Sequence, residues 1–117
     1  MERIKSAYIL WHEFHATIPK IQRYSLGSRI DALFIEMIEA TAQAAFIPRS
    51  EKEPWVRLAI RKLDALKILL MVLWETKSLD TKKYAVLSEH LDEIGTLNIE
   101  MQKSAHAEHT AKITGGI

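Results

Sequence analysis

Leu63-Asp64-Ala65-Leu66-Lys67-Ile68-Leu69-Leu70-Met71-Val72-Leu73-Trp74 is the stretch that decides the fold class of this chain. From Leu66 onward Lys67 is its only polar residue, so a helix through it is apolar around its whole circumference. A helix on the outside of a soluble bundle carries one apolar stripe and one wet face, whereas one that is apolar all round has to be covered on every side. In a chain of 117 residues that second cover comes most simply from another copy of the chain. Leu66, Leu69, Leu70, Met71, Val72, Leu73 and Trp74 are therefore candidates for an oligomer interface as well as for a core. A membrane span is not expected, since spanning takes ~20 apolar residues and Lys62, Asp64, Glu75 and Lys77 close the run on both sides.

The rest of the chain supplies partners for this helix. Ile4, Tyr8, Trp11, Phe14 and Ile18 step by three and four, which predicts an amphipathic helix from Glu2 to about Thr17, stopped by Pro19. Proline biases the residue before it away from helical angles, so Ile18 to Tyr24 is expected to cross in extended form, with Ser25 as the N-cap of a second helix. That helix carries Leu26, Ile30, Leu33, Phe34, Met37, Ile38 and Thr41 on one side and ends near Phe46, before Pro48. Ser50 to Glu53 offers a capping box ahead of Pro54, and the third helix should run from there to Lys77. Asp80 caps a fourth helix with Tyr84, Leu87, Leu91 and Ile94 at seam spacing. Beyond Gly95 the pattern weakens. The expectation is an all-α, antiparallel up-down-up-down four-helix bundle over residues 1–97, assembled into a homo-oligomeric ring, with a polar extension over 98–117 that is a frayed helix or disordered.

The absence of cysteine excludes a disulfide framework, a thiolate metal site and a cysteine nucleophile, and suits a reducing cytoplasm. The start, Met-Glu-Arg-Ile-Lys-Ser, lacks the apolar core of a signal peptide, so export is not expected. The formal charge of +1 is unevenly spread. Arg49, Lys52, Arg57, Arg61, Lys62, Lys67, Lys77, Lys82 and Lys83 outnumber Glu51, Glu53, Asp64, Glu75 and Asp80, whereas from Tyr84 onward only Lys103 and Lys112 face Glu89, Asp92, Glu93, Glu100 and Glu108. Such polarity can orient a polyanion or an acidic partner, although a small net charge is a weak nucleic-acid signal by itself.

Catalytic chemistry is largely missing from the pattern. His12 and His15 are spaced too closely for the His-Glu-x-x-His zinc motif, and His106 with His109 repeats the spacing in the tail. Glu36 with Glu39, and Glu89 with Asp92, share helix faces as in carboxylate-bridged metal bundles, but such sites need Glu-x-x-His on two helices and the chain has none. Ser25 and Ser28 lack a nucleophile elbow, and Gly27 lacks a phosphate-binding glycine loop. Met37, Met71 and the stripe Tyr8, Trp11 and Phe14 are explained by core packing. No metal, no cofactor and no enzymatic activity are expected.

Ile18-Pro19-Lys20-Ile21-Gln22-Arg23-Tyr24-Ser25-Leu26-Gly27-Ser28-Arg29-Ile30 resembles the Phe-Pro-Lys-x-x-Arg-(aromatic)-x-Leu-Gly-x-Arg-Ile signature of a bacterial and phage four-helix-bundle family. A second block, Leu63 to Leu70 followed by Lys82-Lys83-Tyr84 and Leu91-Asp92-Glu93-Ile94-Gly95, is similar to the third and fourth helices of the accessory variability determinant proteins of diversity-generating retroelements. A sister branch, the proteins encoded within ribosomal RNA intervening sequences, typically has Ser-Ile-x-x-Asn-Ile-Ala-Glu-Gly where this chain has Phe34-Ile35-Glu36-Met37-Ile38-Glu39-Ala40. The resemblance covers Met1 to Gly95; after it the chain continues with Thr96-Leu97-Asn98 and a polar tail in place of a short Gly-Gly-Trp ending.

What the resemblance implies is a homopentameric, barrel-like ring that binds a reverse transcriptase and its RNA or DNA and supports mutagenic copying of a template repeat. Lys20, Arg23, Arg29, Arg57, Arg61, Lys62 and Lys67 are the candidate contacts to nucleic acid or to the enzyme, with Arg23 and Arg29 matching family positions. The contrasting expectation is a structural or regulatory oligomeric scaffold without nucleic-acid contact.

Overall fold

A computed structural model describes residues 1–115, with the side chains of residues 1–104, 106 and 107. Among them there is no strand, and four long helices account for most of the chain. These are α1 (Glu2–His15), α2 (Ser28–Ala45), α3 (Glu53–Glu75) and α4 (Thr81–Gly115). Each buries the face that its apolar spacing dictates: Ile4, Ala7 and Trp11 on α1; Ile30, Leu33, Phe34, Met37, Ala40 and Ala44 on α2; Val56, Ala59, Leu63, Leu66, Leu70 and Leu73 on α3; Leu87, Leu91 and Ile94 on α4. No helix among the described residues is long and apolar enough to cross a membrane.

The helices pack side by side, α3 between α2 and α4, and α1 between α4 and α2. The molecule measures 58 by 21 by 21 Å. Its long axis is set by α4, whose 35 residues span about 52 Å at 1.5 Å per residue. The two ends of α1 are pinned to α4, where Arg3 pairs with Glu93 and Lys83 reaches Thr17 Oγ1 at 3.2 Å and stands 5.6 Å from the centre of the Phe14 ring. Past Glu93, α4 has no further turn of α1 beside it. There it meets the start of α3, through Glu53 and His106, and the 3-10 turn Arg49–Glu51.

Two local expectations are corrected. The segment from Ile18 to Tyr24 is not an extended crossing. Only Ile18 and Pro19 break the helical path; Lys20–Gln22 is already a helical turn, and Arg23–Gly27 forms a π-type turn that runs directly into α2. Proline restricts the residue before it and leaves those after it free, so Pro19, at φ −51° and ψ 140°, is itself the N-cap. Ser25 therefore lies inside the turn and donates its hydroxyl to the Ile21 carbonyl at 3.1 Å. The Ser50–Glu53 capping box does not form either: the N-cap of α3 is Lys52, without a side-chain cap, and Pro54 stands within the first turn. The helix α4 continues without a break through Gly95 and beyond residue 97 to Gly115. His109 and Lys112 have side chains outside the described ones.

The Asp80 cap is formed as expected, its Oδ1 accepting the Lys83 amide at 2.8 Å. The end of α3 just before it closes differently. The Lys77 amide bonds to the Trp74 carbonyl and the Ser78 amide to that of Leu73, a Schellman closure that forces Lys77 to a φ of 64°. Glycine normally takes this position, because a Cβ in the left-handed region costs energy. Lys77→Gly is expected to raise stability by about 0.5–1 kcal/mol, read as a higher urea midpoint with unchanged slope.

Candidate nucleic-acid and partner interface

Arg23 turns inward. Its guanidinium donates to the Ile18 carbonyl at 3.0 and 3.3 Å and to that of Ala16 at 3.1 Å, so a cation sits on the carbonyls that α1 leaves unpaired at its C-terminus. The Arg23 carbonyl in turn accepts the Ser28 hydroxyl at 3.0 Å and lies 3.4 Å from His15 Nε2. Gly27 closes the same joint. A Cβ there would stand 2.8 Å from His15 Nε2 and 3.2 Å from the Gln22 carbonyl oxygen. The imidazole cannot easily yield, because it is stacked on Trp11 with ring centres 5.0 Å apart. The Arg and Gly of the signature block thus tie the end of α1 to the start of α2.

Most of the other candidate cations are occupied within the chain. Glu36 lies between Arg29, at 3.7 Å, and Lys62 of α3, at 3.2 Å. Arg57 pairs with Glu53 at 2.6 Å, and Lys67 with Asp92 of α4 at 3.1 Å. Lys20 and Arg61 are exposed and have no acid within ion-pair distance among the described residues. The seven residues do not form one patch. Lys20 precedes α2 and Arg57 follows it, and the 18 residues of α2 put about 27 Å of helix between those two points of the chain.

The candidate interface residues separate in the same way. Leu66, Leu70 and Leu73 are closed inside the chain's own core and offer no surface to a partner. Trp74 is turned onto α4: it stacks on Tyr84 with ring centres 4.7 Å apart and planes 4° off parallel, and its Nε1 donates to Thr81 Oγ1 at 3.1 Å. Leu69 is half-buried against the core and Val72 is half-exposed. The open apolar surface is carried by Met71, 38% exposed, and by Ile68, 58% exposed, which the candidate set leaves out. The cause is the helical period: once Leu63, Leu66, Leu70 and Leu73 face inward, positions 64, 68, 71 and 75 face outward. Asp64 and Glu75 end this stripe, and Arg57 and Arg61 extend its line toward the start of α3.

Several polar groups carry structural roles that the sequence does not announce. Asp31 Oδ1 accepts the Tyr8 hydroxyl at 2.9 Å and the Trp11 indole N–H at 3.3 Å, joining α1 to α2 beside the Trp11 and Phe34 rings. Burial, then the hydrogen bond and negative charge of Asp31, push the Tyr8 phenol above its usual range. Glu53 accepts from Arg57 and, at 3.2 Å, lies against His106 of α4. Burial acts to raise the Glu53 carboxyl, but the hydrogen bonds from His106 and Arg57 prevail and hold it below the ordinary glutamate value. A signal for Asp31 was present in the sequence, an acid one turn from Phe34 on a helix facing Tyr8 and Trp11; the Glu53–His106 contact spans 53 residues and leaves no local trace.

His12 rests on the Tyr8 ring and His15 on Trp11, so the His-x-x-His pair stands along an aromatic row. Among the described residues no group of three or more His, Asp or Glu is placed to hold a metal ion. Two shallow grooves flank α3, one lined by Glu39, Gln43, Trp55 and Lys62, the other by Ile60, Lys67, Asp92, Gly95 and Ile99.

Gly27→Ala should destabilise the fold by about 1–3 kcal/mol through overpacking at the α1–α2 joint, a loss measured by denaturant unfolding that a surface glycine would not show. In comparisons with protein-family models, with curated proteins and with solved structures, nothing matches this chain.

Proposed function

We propose that this chain is a non-enzymatic, self-associating subunit that accompanies the reverse transcriptase of a diversity-generating retroelement, binding the enzyme and its RNA or DNA. The observation that carries the self-association is the outward stripe of α3, where Ile68 and Met71 stand open to water in the middle of the molecule's central helix. An antiparallel up-down-up-down arrangement is the reading supported by the contacts of Arg3 with Glu93, of Thr17 with Lys83 and of Glu53 with His106. Copies joined through α3 would close into a ring, and a pentamer is what the resemblance implies. The reverse transcriptase partner rests on the two sequence blocks. A cytoplasmic location accords with a chain without cysteine.

Nucleic-acid contact rests on less. A ring repeats each free cation several times on one rim, so Arg61 supplies a local field that the near-neutral chain as a whole does not have. A second reading, an oligomeric scaffold that binds protein alone, is favoured by the pairing of Arg29, Lys62 and Lys67 with acids of the same chain. Of the seven candidate contacts, Arg61 is the one on the open face of α3 without an acid partner among the described residues, with Lys20 as a separate unpaired cation.

The purified chain should sediment as a multimer at micromolar concentration. Met71→Glu should dissociate it while leaving its helical circular dichroism in place, because the side chain is already part-exposed in the single chain; Leu70→Glu should unfold it, since an unpaired buried charge costs of order 3–5 kcal/mol. A monodisperse wild-type monomer in light scattering would defeat the self-association. Filter binding to structured RNA or duplex DNA should weaken steeply with salt, and Arg61→Gln should flatten that slope without changing the oligomer. Retention of the reverse transcriptase without any salt-sensitive nucleic-acid binding would select the scaffold reading.

A further inference from the structure

The part of α4 beyond Gly95 is held by a different kind of contact from the part before it. Leu87, Leu91 and Ile94 are fully buried, and the seam then continues at the same three-and-four spacing to Asn98. Asn98 is 3% exposed and its Nδ2 has no hydrogen-bond partner. An amide donor buried without a partner forfeits its hydration and gains nothing in return. In the same stretch Leu97 and Ile99 point into water and Met101 is only half-buried.

The neighbours thin out at the same level. On the α1 side the tie at this level is the Arg3–Glu93 pair, and the segment past Gly95 meets the start of α3 and the Arg49–Glu51 turn. The buried residues of α2 and α3 at their adjoining ends are small, Ala40, Ala44, Val56 and Ala59. A polar clasp, His106 against Glu53 at 3.2 Å, fastens the far side. Gly95 stands where the two regimes meet, in mid-helix, and glycine there is about 1 kcal/mol less helix-favouring than alanine.

We propose that the segment of α4 from Thr96 onward is a hinged strap that opens about Gly95 as one unit while α1, α2, α3 and the first half of α4 stay folded. Sub-global openings of this kind draw on segments with few buried apolar contacts. Opening relieves the orphaned Asn98 amide, which regains water. It goes beyond the partner reading above and does not depend on it.

Hydrogen exchange of the full chain, followed by mass spectrometry with overlapping fragments, tests this. Amides of residues 98–107 should exchange at one common rate, at least ~10-fold faster than those of residues 87–94. Asn98→Leu should slow the strap's exchange about 10-fold and leave residues 87–94 unchanged, because it removes the unpartnered amide and extends the apolar seam. Glu53→Gln should speed it by removing the clasp. Gly95→Ala should also slow it, since the added Cβ meets only Lys67 Nζ at 3.4 Å and Leu63 Cδ2 at 3.5 Å, ordinary contact distances. Rates that rise residue by residue toward the C-terminus would mean simple fraying and overturn the proposal. Equal protection before and after Gly95 would overturn it too, as would an Asn98→Leu chain that folds with unchanged strap exchange; if that variant does not fold, failure of Glu53→Gln to speed exchange decides against it.

Discussion

The central helix α3 has more apolar circumference than two neighbours can cover, and the arrangement of the other three helices follows from that constraint. Packing α2 on one side and α4 on the other closes Leu63, Leu66, Leu70 and Leu73. None of the described residues reaches the opposite side, so Ile68 and Met71 stay open however well the interior is packed. α1 then bridges α2 and α4 and seals the core from the far side, with Trp11 against Phe34 and its indole nitrogen satisfied by Asp31. That polar node gives the aromatic layer a fixed orientation: a buried N–H needs an acceptor, and Asp31 supplies one only in this register.

How much of this could be read from the amino acids depends on the range of the interaction concerned. Helix periodicity is local, and the cores of α1, α2, α3 and the first half of α4 fall where the three-and-four spacing of Ile4, Leu33, Leu66 and Leu87 puts them. The Asp80 cap is local as well, acting three residues along the chain. Where the reading fails, a competing local rule wins or the partner is distant. Pro19 suggested an extended crossing, but its influence runs backward onto Ile18, and the helical turn resumes at Lys20. Glu53 suggested a capping box, but Arg57 and His106 claim its carboxylate. Asn98 disguised the continuation of the α4 seam because a polar residue occupies an apolar position of the heptad, and only the fold shows it buried.

The charged residues illustrate the same limit from the functional side. A count of bases along α3 suggests a continuous basic surface, and the expected partners of those bases were drawn from outside the chain. In the folded chain Lys62 looks to Glu36 and Lys67 to Asp92, each across a helix–helix boundary. Exposed pairs of this kind contribute little stability, typically under ~1 kcal/mol, but they do cancel the field that a polyanion would sense. Arg61 escapes because its face of α3 has no neighbour among the described residues. The same uncovered face thus carries both the apolar stripe and the free cation.

The joint between α1 and α2 has a bearing on what its polar residues can do for the surface. Arg23 spends its donors on backbone carbonyls of the preceding helix end, and Gly27 leaves room for an imidazole; neither is spent on anything outside the molecule. Lysine in place of Arg23 could not reach two carbonyls in a planar fork. The groups that set the bend are thus used up inside the molecule, like a hinge pin hidden once the door is hung, and the outer faces can change without disturbing it.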